Sequence, residues 1–376
     1  MKNLDKYRGC LIGGAIGDAL GYAVEFKKIE EIQEIYGENG ITQYKLTDRK
    51  ALISDETQMT LFTAVGLLVG KTRQQINDTS QEYTSYLATS YSEWLYTQQE
   101  EELQDNKTYY TWLCNVPELY SRRAPENTSI VSIYSGEIGT TEEPINNSNS
   151  YGGVVRVAPI GLCFDSDELA LKEIDTIGAN SAAITHGHGL GYIPAEALVH
   201  IIHVISHGYE MTLLDSIMDM KQKIYTRHKS NQHIKIKDLE YFIMLIDRAI
   251  DLSDRDIEDT EAIQMLGRGL VAEETLAIAI YCSLKYHNNF EKGIIAAANH
   301  TGATDSTASV TGNILGAYLG YEKIPYKFKD KLEIEEIIME VANDLYNSGQ
   351  RDYIDKKWED KYIYATYTPD KLEKIV

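Results

Sequence analysis

Two segments near opposite ends of the chain carry small residues at every fourth position. They are Gly9, Gly13, Gly17 and Gly21 in the first segment, and Ala308, Gly312, Gly316 and Gly320 in the second. Residues four apart share a helix face, so each segment predicts a ridge that lets another helix backbone approach closely. Glycine inside a helix costs roughly 0.5 to 1 kcal/mol, so we infer that packing compensates and that both helices lie centrally. A transmembrane interpretation fails because Asp18 and Glu25 interrupt a short apolar span.

Most of the remaining chain also predicts helices, because apolar residues recur three and four positions apart. The clearest such segments are residues 83–96, 195–206, 239–252, 273–285 and 337–346. Strand signals are short and few. No Gly/Ser-rich linker or block of like charge divides the chain, and only 7 prolines occur in 376 residues. We therefore expect an all-α fold in a single domain that spans residues 1–376.

The charge balance restricts the partners of the chain. The 57 acidic residues against 36 basic ones give a formal net charge of −21, which repels nucleic acid and anionic lipid. The first residues lack the apolar core of a secretory signal, and no run of 18 apolar residues occurs. We expect a cytoplasmic protein that binds neither nucleic acid nor membrane. The 4 cysteines lack C-x-x-C spacing, which predicts buried free thiols rather than disulfides.

Two polar segments about 250 residues apart place oxygen-rich side chains at predicted helix starts. They are Ser54-Asp55-Glu56-Thr57 and Ala303-Thr304-Asp305-Ser306. Ser54 and Thr304 are the expected N-caps, and carboxylates are stabilised by the unpaired backbone N–H groups of a helix start. Capping alone explains either segment by itself. The two together add a second interpretation, because Mg²⁺ prefers carboxylate and hydroxyl oxygens and a site shared by two helix starts would suit it.

Residues 120–153 form the longest stretch without helical periodicity, and it ends in Tyr151-Gly152-Gly153. Long loops in compact domains often carry function. A glycine pair lets backbone N–H groups approach a phosphate closely, although a plain turn is the commoner explanation. Neither G-x-G-x-x-G after a strand nor a P-loop occurs.

Three histidines, His200, His203 and His207, fall three and four positions apart on one helix face. Zinc is one interpretation of this spacing. Apolar residues surround the histidines and we expect no nearby carboxylate or cysteine partner, so an ordinary helix face is preferred. His186 and His188 lie two residues apart, which does not place them on one helix face, and loop hydrogen bonding is preferred for them.

Five blocks in order resemble the ADP-ribosylglycohydrolase family, which includes the dinitrogenase reductase activating glycohydrolases and the ADP-ribosylarginine hydrolases. The blocks are GCLIGGAIGDALG at residues 9–21 with Glu25 just beyond, SDETQMT at 54–60, GGVVRVAP at 152–159, THGH at 185–188 and HTGATDSTASVTGNILGA at 300–317. The combination covers most of the chain and is specific, although no single block is.

The resemblance implies an orthogonal multi-helix all-α domain with a dinuclear magnesium centre in a central cleft. It also implies hydrolysis of the N-glycosidic bond between ADP-ribose and a protein arginine, so the implied partners are an arginine-linked ADP-ribosylated protein and ADP-ribose. The residues carried over are Ser54, Asp55, Glu56, Asp305 and Ser306 as metal ligands, Glu25 beside the metals, and Gly152, Gly153 and His186 in the nucleotide cleft. Tyr151 and Tyr192 lie beside these blocks and could contact adenine or the arginine side, with core packing as the alternative.

Two positions depart from the family pattern. Glu56 stands where aspartate is usual, which keeps the charge but moves the carboxylate by one methylene, about 1.5 Å, against the rigid geometry of Mg²⁺. Ala303 stands where the family has the first aspartate of its second metal motif, and alanine offers no oxygen. One ion should therefore lose a ligand. The chain is either an engineered inactive variant or a natural protein with impaired activity.

The chemistry of the bond suggests how these residues would act. Hydrolysis builds oxocarbenium character on the ribose and needs a water that attacks its C1″ atom. Paired magnesium ions would lower the pKa of that water, while Glu25, Asp55 or Asp305 transfers a proton. Because Ala303 lacks a carboxylate, the alternative is a catalytically silent ADP-ribose reader, or a partner that sequesters an ADP-ribosyltransferase.

Overall fold

The structure, a computed structural model, describes residues 2–77, 82–99, 108–348 and 354–369. Within these ranges nearly all regular structure is helical, as predicted. The helices are α1 (Leu4–Tyr22), α2 (Ile29–Tyr36), α3 (Asp55–Asn77), α4 (Tyr83–Gln99), α5 (Asn127–Ser135), α6 (Ala158–Cys163), α7 (Leu171–Ala183), α8 (Gly189–Ser206), α9 (Leu213–His228), α10 (Ile236–Ser253), α11 (Asp259–Leu266), α12 (Ala272–Lys285), α13 (Phe290–Ala298), α14 (Thr304–Leu319), α15 (Tyr326–Lys329), α16 (Glu335–Asn347) and α17 (Lys356–Tyr362). Strands β1 (Leu46–Thr47) and β2 (Lys50–Ala51) pair antiparallel, the one sheet of the described ranges.

The two glycine-ridge helices, α1 and α14, pack with their backbones in contact. A Cβ atom built on Gly17 would lie 1.9 Å from the carbonyl oxygen of Ala308, and one built on Gly312 would lie 1.9 Å from that of Gly13. Most residues of both helices are buried. The prediction that both helices lie centrally and admit close approach is therefore confirmed, and the absence of side chains along the ridges is what permits the approach. That the two ridges face each other was not predicted.

Helix α8 is buried along almost its whole length and packs against α6, α7, α9 and α12. It is long and apolar enough to cross a membrane, but 94% of the segment is buried inside the protein. The core helix of a globular fold has the same character. The ring of His188 caps the start of α8 by accepting from the backbone N–H of Leu190 at 3.1 Å. The THGH block, residues 185–188, therefore ends at the N-cap of this helix.

The five predicted helical segments lie within α4, α8, α10, α12 and α16, and the four cysteines are buried thiols that form no disulfide. The prediction of a long irregular stretch was partly wrong, because residues 120–153 contain α5 and a short 3₁₀ turn, Tyr151–Gly153. The polar residues of α5 obscure its helical periodicity in the sequence. Its N-cap is Glu126, whose carboxylate accepts backbone N–H groups of the first turn, and Gly136 ends it with a φ of 74°.

The expectation that no carboxylate lies near the three spaced histidines was wrong. The two ring nitrogens of His200 lie 3.1 Å from Asp175 Oδ2 and 3.1 Å from Asp219 Oδ2. These partners come from α7 and α9, which pack on either side of α8. Local sequence could not reveal them, because both pairings depend on helix packing.

Candidate active site

The first oxygen-rich segment begins α3 with Ser54 as the predicted N-cap. The Oγ atom of Ser54 accepts a hydrogen bond from the backbone N–H of Glu56 at 3.2 Å. A second cap comes from α1, where the carboxylate of Asp18 accepts the backbone N–H groups of Ser54 at 3.0 Å and Thr57 at 3.2 Å. Asp55 and Glu56 therefore lie between two anchored positions.

The second segment begins α14, and the predicted cap there was wrong. Thr304 is the first residue of the helix, and its hydroxyl donates to the carbonyl oxygen of Gly21 at 2.9 Å. Ala303 occupies the N-cap position, where its methyl group accepts no hydrogen bond. The difference arises because α1 offers the Thr304 hydroxyl an acceptor outside α14.

The two helix starts meet in the interior. Ser306 Oγ donates to Glu56 Oε1 at 2.6 Å across 250 residues of sequence, and both side chains are buried. The backbone N–H of Ser306 also donates to Asp305 Oδ1 at 2.8 Å. The fold therefore brings the two predicted oxygen sets together where α3 and α14 begin.

Four carboxyl groups crowd at this junction, and we call them the carboxylate cluster: Glu25, Asp55, Glu56 and Asp305. Burial raises the pKa of each carboxyl, and the negative charges of neighbouring carboxylates raise it further. The carboxyl groups of Glu25 and Asp305 face each other, and their interaction raises the pKa of Glu25 and opposes the rise in the pKa of Asp305. The cluster thus favours protons or another cation over four unpaired charges.

The turn Tyr151–Gly153 borders the carboxylate cluster. Burial raises the pKa of the Tyr151 hydroxyl, and so do the negative charges of the cluster, beginning with Glu56. A Cβ atom built on Gly152 would lie 3.1 Å from Cε1 of His186, so the turn packs directly on the imidazole ring. The fold brings these predicted nucleotide-side residues together on one flank of the cluster.

No contact within the described ranges places Tyr192 beside the turn Tyr151–Gly153. It lies on α8 with 2% of its surface exposed, and burial alone raises its pKa, with no contribution from the carboxylates. The core-packing interpretation of Tyr192 is therefore the one that the geometry favours.

Comparison with known proteins identifies the family of the chain. The family model described as ADP-ribosylglycohydrolase matches residues 1–354. The chain belongs to the ADP-ribosylglycohydrolase family. The resemblance carried by the five sequence blocks is thereby confirmed, and membership places the chain among the hydrolases of glycosyl bonds.

Three similar proteins show how far the likeness extends. ADP-ribosylhydrolase ARH3 of Gallus gallus is 23% identical over 373 residues, covering 91% of this chain and 92% of that protein. ADP-ribosylarginine hydrolase Tri1 of Serratia proteamaculans (strain 568) is 42% identical over 59 residues, or 16% of each chain. A solved structure titled ADP-ribosylglycohydrolase-related protein complex is 18% identical with a TM-score of 0.52, covering 92% of this chain and 99% of that chain. The last match shows the same all-helical fold.

At position 303, the start of α14 lacks a side-chain oxygen. Ala303 is fully buried, and its backbone N–H donates to the carbonyl oxygen of Arg268 at 3.0 Å. The main chain at the start of α14 is therefore held in place, while the side chain contributes nothing to the carboxylate cluster two residues further on.

The donor set fits a hard divalent cation by its chemistry. Mg²⁺ prefers the carboxylate and hydroxyl oxygens supplied by Ser54, Asp55, Glu56, Asp305 and Ser306. Glu56 Oε2 is buried and accepts no hydrogen bond, which leaves one such oxygen open. Across the described ranges, no three Asp, Glu, His or Cys side chains already form a group that could hold a metal ion. Side-chain rotation would therefore accompany binding, and the magnesium assignment stays a prediction.

Glu126 belongs to the site, and the sequence analysis missed it. Its backbone N–H donates to Asp55 Oδ2 at 3.0 Å, its carboxylate accepts from the Ser150 hydroxyl at 2.8 Å, and its Oε2 lies 3.5 Å from His186 Nε2. Burial raises the pKa of Glu126, but hydrogen bonding and charge attraction from His186 outweigh it, so the pKa lies below its ordinary value. Glu126 thus connects the carboxylate cluster to His186. Its one sequence signal was its place in the polar 120–153 stretch.

Proposed function

We propose that this chain hydrolyses the N-glycosidic bond between ADP-ribose and a protein arginine, with Mg²⁺ as its cofactor. The observation that carries the proposal is the hydrogen bond from Ser306 to Glu56, which joins two oxygen-rich helix starts in one buried cluster. Family membership supports hydrolysis of a glycosyl bond, and the name of the ARH3 relative supports an ADP-ribosyl substrate. Of the relatives compared above, the one whose name states a linkage is an ADP-ribosylarginine hydrolase.

The carboxylate cluster can supply proton transfer and charge stabilisation. Departure of the leaving nitrogen builds positive charge on the ribose, and nearby carboxylates stabilise such charge in a water-poor site. Glu25 is only partly buried and faces Asp305, and its raised pKa favours the protonated form. Once that proton has moved to another group, Glu25 is placed to accept a proton from the attacking water.

In this proposal Ser54, Asp55, Glu56, Asp305 and Ser306 would hold the magnesium. When bound, the ion would lower the pKa of a water molecule and orient the ribose hydroxyls. The turn Tyr151–Gly153 would lie along the diphosphate, and His186, hydrogen-bonded to the Ser150 hydroxyl at 3.0 Å, would border the nucleotide. Free ADP-ribose and the ADP-ribosylated protein are then the partners, and the acidic surface argues against nucleic acid and membrane.

Two peptides that differ only in the ADP-ribosylated residue test the linkage. The chain is incubated with the arginine-linked or the serine-linked peptide, in excess Mg²⁺ or in EDTA, and released ADP-ribose is quantified by chromatography. We expect release from the arginine-linked peptide that depends on Mg²⁺ and disappears in Asp55→Asn. Release from the serine-linked peptide alone would refute the arginine linkage, and release that persists in EDTA would refute the metal role.

A second candidate function is an ADP-ribose reader without turnover, and Ala303 is the observation that favours it. Calorimetry with ADP-ribose, with and without Mg²⁺, is run beside the turnover assay. Tight binding without turnover, both in this chain and in Ala303→Asp, would favour the reader. Its partner would be an ADP-ribosylated protein or a sequestered ADP-ribosyltransferase.

A further inference from the structure

Asp18 is a fully buried carboxylate that the proposed chemistry does not use. Its two oxygens accept the backbone N–H of Ser54 at 3.1 and 3.0 Å, and Oδ2 also accepts the backbone N–H of Thr57 at 3.2 Å and the Thr57 hydroxyl. Asp18 lies on α1, whereas all these donors lie at the start of α3. The first turn of α3 is thus anchored by a different helix.

The same turn of α1 also anchors the start of α14. The carbonyl oxygen of Gly21 accepts the Thr304 hydroxyl at 2.9 Å. A Cβ atom built on Gly21 would lie 2.2 Å from the carbonyl oxygen of Thr304 and 2.5 Å from the backbone nitrogen of Asp305. Asp18 and Gly21 are three residues apart, so one turn of α1 contacts both halves of the carboxylate cluster.

We propose that Asp18 is a positioning residue, and that residues 18–21 of α1 set the spacing between Asp55 and Glu56 on α3 and Asp305 on α14. The inference rests on the proposed function, because this spacing matters only if both halves act at one centre. Each hydrogen bond to Asp18 satisfies a buried donor at a helix start, and its charge suits the positive end of the helix dipole. Fraying of this turn would displace the carboxylates, and a displacement of about 1 Å can cost on the order of 10²-fold in rate.

A purely structural cap is the alternative, and Glu93 offers a matched control. The carboxylate of Glu93 on α4 accepts the backbone N–H of Thr111 at 2.7 Å, the Thr111 hydroxyl at 2.7 Å, and the backbone N–H of Tyr110. These are the same kinds of donor that Asp18 holds, but Glu93 anchors the turn at residues 110–111 instead of the carboxylate cluster. Asp18→Asn and Glu93→Gln each remove one charge and one pair of acceptor lone pairs at nearly constant shape.

Five quantities are measured on both variants: Mg²⁺ affinity by calorimetry, kcat and KM on the ADP-ribosyl peptide, backbone amide exchange, and the thermal midpoint. For Asp18→Asn we expect Mg²⁺ affinity to fall about 10-fold and kcat about 10- to 10²-fold, with KM changed less than about 3-fold. Amide exchange should accelerate at residues 54–57. For Glu93→Gln the midpoint should fall comparably, while Mg²⁺ affinity and kcat stay within about 2-fold of the parent.

Equal losses of thermal midpoint in the two variants, with no change in Mg²⁺ affinity, kcat or exchange at residues 54–57, would overturn the positioning role. Amide exchange needs neither metal nor turnover. A parent chain that hydrolyses no ADP-ribosyl peptide would therefore defeat the proposed function, whereas faster exchange at residues 54–57 in Asp18→Asn would still support the anchoring by α1. Asp18→Asn keeps one carbonyl acceptor, so it is the variant of choice over Asp18→Ala.

Discussion

At the scale of single residues, substitutions at position 303 distinguish the effect of a helix cap on stability from the effect of a carboxylate on catalysis. Ala303 occupies the N-cap of α14, where aspartate and asparagine are both favoured and alanine is not. Aspartate would add an oxygen and a negative charge beside the carboxylate cluster, whereas asparagine would add only a neutral cap. Comparing the two variants therefore isolates the contribution of the charge.

In Mg²⁺, Ala303→Asp should release ADP-ribose about 10² to 10⁴ times faster than the parent, because a carboxylate is added to the residues proposed to bind metal and transfer protons. Ala303→Asn should not. In EDTA, urea unfolding should show a gain of about 1 kcal/mol for the asparagine variant alone, since a further carboxylate adds repulsion to the cluster. Indistinguishable release rates for parent and Ala303→Asp would show that position 303 does not limit the reaction.

The chemistry of the residues predicted which side chains would lie at the site, but not the hydrogen bonds that hold them in place. Asp55 and Asp305 were recognisable because each lies in a run of hard oxygen donors at a helix start. Thr304 was misassigned as a cap because its acceptor lies 283 residues away on α1. Glu126 was missed because its bond to Asp55 spans 71 residues and follows no local pattern.

At the scale of helices, the glycine ridges carried the strongest prediction, because the spacing of four directly encodes a helix face. It correctly predicted that α1 and α14 are close-packed. It did not predict that they pack against each other, since two ridges can each meet a third helix. Pairing is decided by the whole arrangement of helices, which sequence periodicity does not contain.

Gly312→Ala should destabilise the protein by about 3 kcal/mol or more, because its Cβ would lie 1.9 Å from the backbone oxygen of Gly13 and the two helices would have to separate. Gly189→Ala is the control, since the nearest atom to its Cβ is 3.7 Å away. The control should change stability by less than about 1 kcal/mol. Urea unfolding followed by circular dichroism measures both, and equal losses would mean that the α1–α14 contact has room to adjust.

The buried histidines at the C-terminal end of α8 make stability depend on pH. Burial lowers the pKa of His203 to about 4 and that of His207 to about 3. His203 packs its ring on His207 at 4.1 Å and faces Gly161 O, Asp165, Asp175 and His200. A depressed pKa means that the unfolded chain binds the proton first as pH falls. The stabilisation is therefore complete above about pH 6.5 and is lost progressively towards pH 4.

His203→Asn keeps a neutral hydrogen-bonding side chain but removes this titration. Between pH 6.5 and 4.5 the parent should lose about 2 kcal/mol more unfolding free energy than the variant. Carboxyl groups with raised pKa, such as Glu273, act in the opposite direction but are common to both proteins and cancel in the comparison. Urea unfolding at both pH values gives the difference, and parallel losses would exclude His203 as a source of acid instability.

At the scale of the whole molecule, the fold class followed from helical periodicity, while the way in which the seventeen described helices pack against one another did not. Composition did bear on the site, though indirectly. A chain with a net charge of −21 already repels itself, and the structure adds a buried group of carboxyls at its centre. Such an arrangement is costly for the folded state unless protons or cations offset it.

Mg²⁺ should therefore stabilise the folded chain. An ion that binds only the folded state contributes RT ln(1 + [L]/Kd), about 2.7 kcal/mol at a hundredfold excess over Kd, which for a chain of this size corresponds to roughly 3 to 6 °C in thermal midpoint. Calorimetric scans in MgCl₂ are compared with scans in NaCl of equal ionic strength, because general screening of the acidic surface would raise the midpoint in both salts. The specific part of the shift should vanish in Asp305→Asn. Identical midpoints in the two salts would mean that protons alone neutralise the carboxylate cluster, and this result would refute the magnesium assignment.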